Sequence, residues 1–235
     1  MTTMPNMPDF DFDISMMVNE AEAKKFLESI YDPLLNELPS MYDSKFQRMI
    51  ESFSLRKLYI SRYGYVPLSK EVIQEMTNKF HEIDVDEFLE LQAGTGFMTK
   101  VLIDYGFVGT GITLKIPEDP HANHWGLKQH AMYHHCVDND ILVLADIRET
   151  DIDPLPKMVI SSWIPYEHGE EVLEFFEKNG LPEYYTLIGE GRGGCTANDE
   201  FHEWLENNYT EIESIGSYKS FSGIYDSILI YKRRD

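Results

Sequence analysis

The chain has 235 residues, 43% of them apolar and 13% aromatic, with 41 Asp and Glu against 20 Lys and Arg for a formal net charge of −21. That is enough apolar material for one α/β domain with an N-terminal elaboration, and it excludes a disordered chain. A field of that sign repels phosphate backbones and anionic lipid heads, so nucleic acid and membranes are set aside as partners, while small molecules and basic proteins stay open.

Residues 1–15 carry Asp9, Asp11 and Asp13 and no basic residue, and read as a mobile tail without the marks of a signal peptide. Cys136 and Cys195 stand at no metal-ligand spacing and suit a reducing compartment. No apolar run reaches the roughly 18–20 residues of a membrane-spanning helix, so the expectation is a soluble, cytoplasmic protein.

Residues 16–83 are expected to form a helical extension or lid. Phe26, Leu27, Ile30, Tyr31, Leu34, Leu35 and Leu38 recur at three- and four-residue spacing up to Pro39. A second helix takes in Phe46, Met49, Ile50 and Phe53. Ser69 is placed to cap a third, with Val72, Ile73, Met76 and Phe80 on one side.

From Asp84 strands alternate with helices, and residues 84–235 are expected to be a Rossmann-like domain. Its strands are predicted at 88–91, 107–112, 141–144, 158–161, 184–188, 211–217 and 224–231. This order predicts a seven-stranded, mostly parallel sheet with helices on both faces and an antiparallel pair at the C-terminal end.

The strongest local signal is Glu90-Leu91-Gln92-Ala93-Gly94-Thr95-Gly96-Phe97, which lies between a strand and a helix. Glycine lets the backbone turn sharply and approach a ligand, and the helix behind the turn offers unpaired N–H groups. Ligands of such sheets sit at the carboxyl ends of the strands, where Glu90 can accept from an amine or hydroxyl. The same turn also serves strand-to-helix geometry alone.

This stretch resembles motif I of class I S-adenosylmethionine-dependent methyltransferases, and the resemblance runs in register over about residues 60–232. Gly106 to Thr113 is similar to that class's second strand, and Val143 to Ile147 to its third, whose terminal Asp146 the resemblance assigns to the adenine amine. Arg62 to Pro67, Ser162 to Tyr166 and Ile188 to Phe201 further resemble an uncharacterised methyltransferase-like family of fungi and other organisms. The resemblance implies S-adenosylmethionine as cofactor, held by Glu90, Gln92, Ala93, Gly94, Thr95, Gly96, Thr113 and Asp146.

Three residues depart from the class pattern. Gln92 stands where glycine is usual, and Thr113 where an acid usually grips the ribose. A hydroxyl there makes one weaker bond in place of two charge-assisted ones. Ser162-Trp163-Ile164-Pro165-Tyr166 occupies the place of the Asn/Asp-Pro-Pro-Tyr motif, with Trp163 in the polar position. Either Ser162 and Tyr166 receive a planar acceptor, or Trp163 and Tyr166 cap the core.

Gly189 to Cys195 closes the fifth strand with four glycines. Glu190 there is either a general base or half of an ion pair with Arg192 that fixes the loop. His121, His124, His130, His134 and His135 stand between the second and third strands; His130 and His134 share a helical face, but no Glu or Cys completes a zinc pattern, and a wet helix surface is the expectation. The leading expectation is therefore a methyltransferase acting on a small molecule or a protein side chain, with Tyr166, Glu190 and Ser162 near the acceptor. The alternative is a degenerate fold kept as a binding or structural protein. Against a third reading, a nicotinamide oxidoreductase, stand Thr99, where the third glycine of its fingerprint belongs, and the missing acid at Thr113.

Overall fold

The computed structural model describes residues 20–31, 37–114 and 141–235. The expected tail and the five histidines of the insert fall outside them. Among the described residues, four helices come first: α1 (Glu20–Glu28), α2 (Ser44–Glu51), α3 (Phe53–Tyr63) and α4 (Lys70–Glu82). Polar caps set their starts. Asp43 accepts from the Lys45 amide, Ser52 from Leu55 and Ser69 from Val72, each satisfying an amide of the first turn. The expected face of α4 is buried, with Val72, Ile73, Met76 and Phe80 all sealed from solvent.

Two helical expectations are corrected. The apolar periodicity from Phe26 does not carry one helix to Leu38: α1 ends at Glu28, and Ser29 and Ile30 form a turn closed by the Ile30 and Tyr31 amides on the Leu27 carbonyl. Pro33 has no amide to extend that ladder. Phe53 does not share the buried face of α2. It opens α3 at 59% exposure, with the cations of Arg56 and Lys57 over its ring.

The sheet follows: β1 (Glu87–Leu91), α5 (Phe97–Asp104), β2 (Val108–Thr113), β3 (Leu142–Leu144), β4 (Met158–Ser162), a 3-10 turn (Tyr166–His168), α6 (Gly169–Asn179), β5 (Tyr184–Glu190), α7 (Asp199–Asn208), β6 (Tyr209–Ser214) and β7 (Asp226–Arg233). Seven strands lie in the order β3-β2-β1-β4-β5-β7-β6. The first five are parallel, and β7 runs antiparallel between β5 and β6. This is the Rossmann-like, mostly parallel sheet expected, with the Glu90 strand inside it between β2 and β4.

Alternation along the strands builds a core on each face. Phe88, Met158, Ile160, Ile188 and Ile230 pack with α1–α5. Leu89, Leu91, Val159, Tyr185 and Leu187 pack with Val172, Phe175 and Phe176 of α6 and Phe201 and Leu205 of α7. The N-terminal helices thus share one continuous core with the sheet. Among the described residues, no helix is long and apolar enough to cross a membrane.

Three tyrosines fasten the segment after α3. Tyr31, Tyr59 and Tyr63 hold ring centroids 5.1 Å apart. The Tyr31 hydroxyl donates to the Leu68 carbonyl at 2.7 Å, and Tyr59 to Val66 at 2.8 Å. Replacing Tyr59 by Phe removes the donor and leaves the buried Val66 carbonyl unpaired. We expect Tyr59→Phe to lower unfolding stability by about 1–3 kcal/mol in urea titrations.

Candidate active site

β1 and β4 are neighbours, with Glu90 opposite Ile160 and Leu91 opposite Ser161, and β2 lies on the other side of β1. The chain leaves β1 for β2 on one flank and resumes with β4 on the other, which opens a crevice at the carboxyl ends of these strands. A cavity of about 740 Å³ occupies it. Glu90, Gln92, Ala93, Gly94, Thr95, Thr113 and Ser162 line it, as do Tyr63, Gly64, Tyr65 and Val66 from the segment after α3.

The turn after β1 needs unusual backbone. Gln92, Gly94 and Gly96 all have positive φ, at 53°, 56° and 76°. A Cβ on Gly94 would meet nothing nearer than the Gln92 carbonyl at 4.0 Å, so that glycine faces open cavity. Gly96 has another use. It does not line the cavity, and a Cβ there would stand 2.6 Å from the Leu142 side chain, so it lets α5 close on β3. The Thr95 hydroxyl donates to the Tyr63 carbonyl at 2.9 Å and accepts from the Phe97 amide.

Gln92 is bonded on one side only. Its amide nitrogen donates to Glu171 Oε2 at 3.3 Å. Its Oε1 is buried with no hydrogen-bond partner. Flipping the amide would put two acceptors face to face, so the carboxylate fixes this orientation. Gln92 lines the cavity, and its Oε1 is an acceptor left unsatisfied there.

Glu90 is 1% exposed. The Thr99 hydroxyl donates to one carboxylate oxygen and Ser162 approaches the other at 3.5 Å. Burial pushes the carboxyl from 4.5 up to about 7, and these hydrogen bonds pull only partly back. Trp163 also has positive φ, 52°, and its ring stacks on Tyr65 with centroids 5.5 Å apart. Its indole N–H donates to Asp226 Oδ2 at 3.1 Å, an oxygen shared with the Tyr218 hydroxyl at 2.7 Å.

The remaining sequence candidates stand elsewhere. Asp146 does not line the cavity, though Ile147 does. Both its oxygens are taken by the Arg148 guanidinium, which holds the carboxyl below its ordinary range. Tyr166 begins the 3-10 turn at 53% exposure, outside the lining. Glu190 clamps its own loop, accepting from the Cys195 amide at 2.8 Å and the Tyr225 amide at 3.4 Å. Arg192 turns away from it, toward Asp199 and Glu206. His168 and Glu171, which are not among the sequence candidates, also line the cavity. Their three-residue spacing at the start of a helix after Pro165 was the available signal.

The buried carboxyl yields a signed pH effect. Its folded value lies above its unfolded one, so the folded state keeps a proton that the unfolded chain releases. This group's stability contribution is full below pH 4.5 and is lost as pH rises toward about 7. Glu90→Gln is expected to gain stability relative to the native chain between about pH 5 and 8, read as the difference in urea midpoints. A gap independent of pH would contradict the protonated Glu90.

No protein-family model and no curated protein matches the sequence. Solved structures resemble it distantly. The PH0226 protein of Pyrococcus horikoshii OT3 shows 15% identity over 79% of this chain and 93% of its own, at a TM-score of 0.45. An S-adenosylmethionine-dependent methyltransferase of Clostridium acetobutylicum ATCC 824 shows 12% identity over 69% and 91%, also at 0.45. The glycopeptide N-methyltransferase MtfA, complexed with S-adenosyl-L-homocysteine, shows 12% identity over 70% and 89%, at 0.46. The fold itself is defined by strand order and register: a Rossmann-like seven-stranded sheet with its crevice at the ends of β1, β2 and β4.

Proposed function

We propose that this chain is an S-adenosylmethionine-dependent methyltransferase acting on a small molecule or a protein side chain. The observation that carries the reading is the buried, unpaired Gln92 Oε1 beside the open Gly94 turn, in a cavity at the joined ends of β1, β2 and β4. A ligand with a cationic amine suits this lining, because its N–H groups would donate to the unpaired Gln92 oxygen and its charge would meet the carboxyls of Glu90 and Glu171. When bound, S-adenosylmethionine supplies an electrophilic methyl group on a sulfonium.

Ala93, Gly94 and Thr95 would lie against the amino-acid part of the cofactor, and Thr113, buried at the end of β2, would face the ribose. Asp146 would reach the adenine amine only by releasing Arg148, while Ile147 already borders the space. The acceptor would enter beside Ser162, Trp163 and Tyr65, with Tyr166 outside the lining and Glu190 serving as the clamp of the neighbouring loop. Methyl transfer asks the protein mainly for in-line placement and a free lone pair, which a walled cavity of this size supports. The second reading, a binding protein on a degenerate methyltransferase fold, is favoured by Trp163 standing in the polar position and held there by Asp226.

Calorimetric titration with S-adenosylmethionine and S-adenosylhomocysteine separates the two. Both ligands should bind the native chain. Gly94→Leu should abolish the heat, because a side chain there fills the open side of the turn. Thr113→Asp should tighten binding by roughly tenfold by restoring a charge-assisted ribose contact. No heat with either ligand at millimolar concentration would decide for the non-catalytic reading.

A further inference from the structure

Gln92, His168 and Glu171 come from different elements and meet at one wall of the cavity. Gln92 follows β1, His168 ends the 3-10 turn and Glu171 lies in the first turn of α6. His168 Nδ1 and Glu171 Oε1 are 2.8 Å apart, and the other carboxylate oxygen accepts from Gln92 Nε2. Both oxygens of Glu171 are thus engaged, and its side chain is 14% exposed. A carboxylate is an acceptor only, so the contact fixes the proton of neutral His168 on Nδ1. Nε2 then carries the lone pair, and no described residue bonds to it.

His168 lines the same cavity as Ser162 and Trp163, and a base oriented by a carboxylate that a third group holds is an arrangement that suits general-base catalysis. We infer that His168 is the general base of the proposed transfer, with Glu171 and Gln92 as its positioning residues, and that the acceptor is protic, an O–H or N–H group whose proton must leave. The inference rests on the methyltransferase reading of the same cavity. In the step it describes, the acceptor heteroatom forms a bond to the methyl carbon. The carbon–sulfur bond breaks, its electron pair staying on sulfur, which becomes a neutral thioether. The acceptor proton passes to His168 Nε2, and the imidazolium rests against the Glu171 carboxylate before releasing the proton to solvent, to which its half-exposed ring has access. The geometry also gives Gln92 a purpose at a position where the class usually has glycine: its amide ties the cofactor turn to the carboxylate behind the base.

The test is the tautomer of His168, read by nitrogen-15 NMR on protein labelled in its histidines, with His168→Gln used for assignment. At about pH 8 the native chain should show Nδ1 protonated and Nε2 bare. Glu171→Ala should lose that preference toward the Nε2–H form that free imidazole side chains favour, and Gln92→Leu should weaken it. A native His168 with its proton on Nε2, or a tautomer unmoved by Glu171→Ala, overturns the inference. Titration with S-adenosylhomocysteine is run in parallel. Binding with the wrong tautomer sinks the base and spares the methyltransferase; the right tautomer without binding sinks the methyltransferase, and with it the base. With tritiated methyl donor and a small-molecule cell extract as acceptor, His168→Gln should lose about 10²–10⁴-fold in transfer while its affinity for S-adenosylhomocysteine is kept. Full transfer by that variant would overturn the assignment.

Discussion

The Thr95 hydroxyl donates to the Tyr63 carbonyl and accepts from the Phe97 amide, and so joins the turn after β1 to the end of α3 and the start of α5. Thr95 is 3% exposed, so this bond lies in a dry setting where an unmade partner is costly. The wall that follows α3 and the turn after β1 are therefore not separate pieces. Tyr63 stacks within the tyrosine cluster, the cluster holds Val66 and Leu68 by their carbonyls, and the 63–68 segment forms one wall of the cavity. A shift of the N-terminal helices would move the glycine turn with them.

Around that turn the polar groups are mostly acceptors. Glu90 and Glu171 are carboxylates, Gln92 has its donor taken and its acceptor free, and no Lys or Arg lines the cavity among the described residues. The excess of 41 acidic over 20 basic residues extends the same bias over the whole chain. Such a site attracts a cationic ligand and repels an anionic one. Burial moderates the charge at the cavity floor, since it pushes the Glu90 carboxyl up to about 7. A cation arriving beside Glu90 favours loss of the carboxyl proton, which couples ligand and protonation at the cavity floor.

The wall around Trp163 is set by the far end of the chain. Asp226 begins β7, the last strand, and yet fixes the indole of a residue that follows β4. The antiparallel return of β7 beside β5, with Asp226 opposite Glu190, carries that carboxylate to the carboxyl end of the parallel strands. A left-handed backbone at a bulky residue such as Trp163 persists only where its surroundings hold it, and here the Tyr65 ring and the Asp226–Tyr218 pair do so.

Local pattern alone carried the sheet. Short apolar runs between helical periodicities located all seven strands within a few residues, most directly β1, β4 and β5, where burial on both faces demands them, and the glycine pair after β1 marked the turn because few other residues accept its backbone. Glu90, Gln92, Ala93, Gly94, Thr95, Thr113 and Ser162 were legible for that reason: they sit at strand ends, and strand ends meet in a parallel sheet. What the sequence could not decide was which partner, near or far, each side chain takes. The end of α1 at Glu28, the exposure of Phe53, the capture of Asp146 by Arg148 and the use of Glu190 as a loop clamp each depend on which neighbour arrives first at a side chain. The meeting of Gln92 with Glu171 spans 79 positions and that of Trp163 with Asp226 spans 63. Periodicity reports which face a residue takes on its own element; only the packing of elements against one another selects the partner that its hydrogen bonds find.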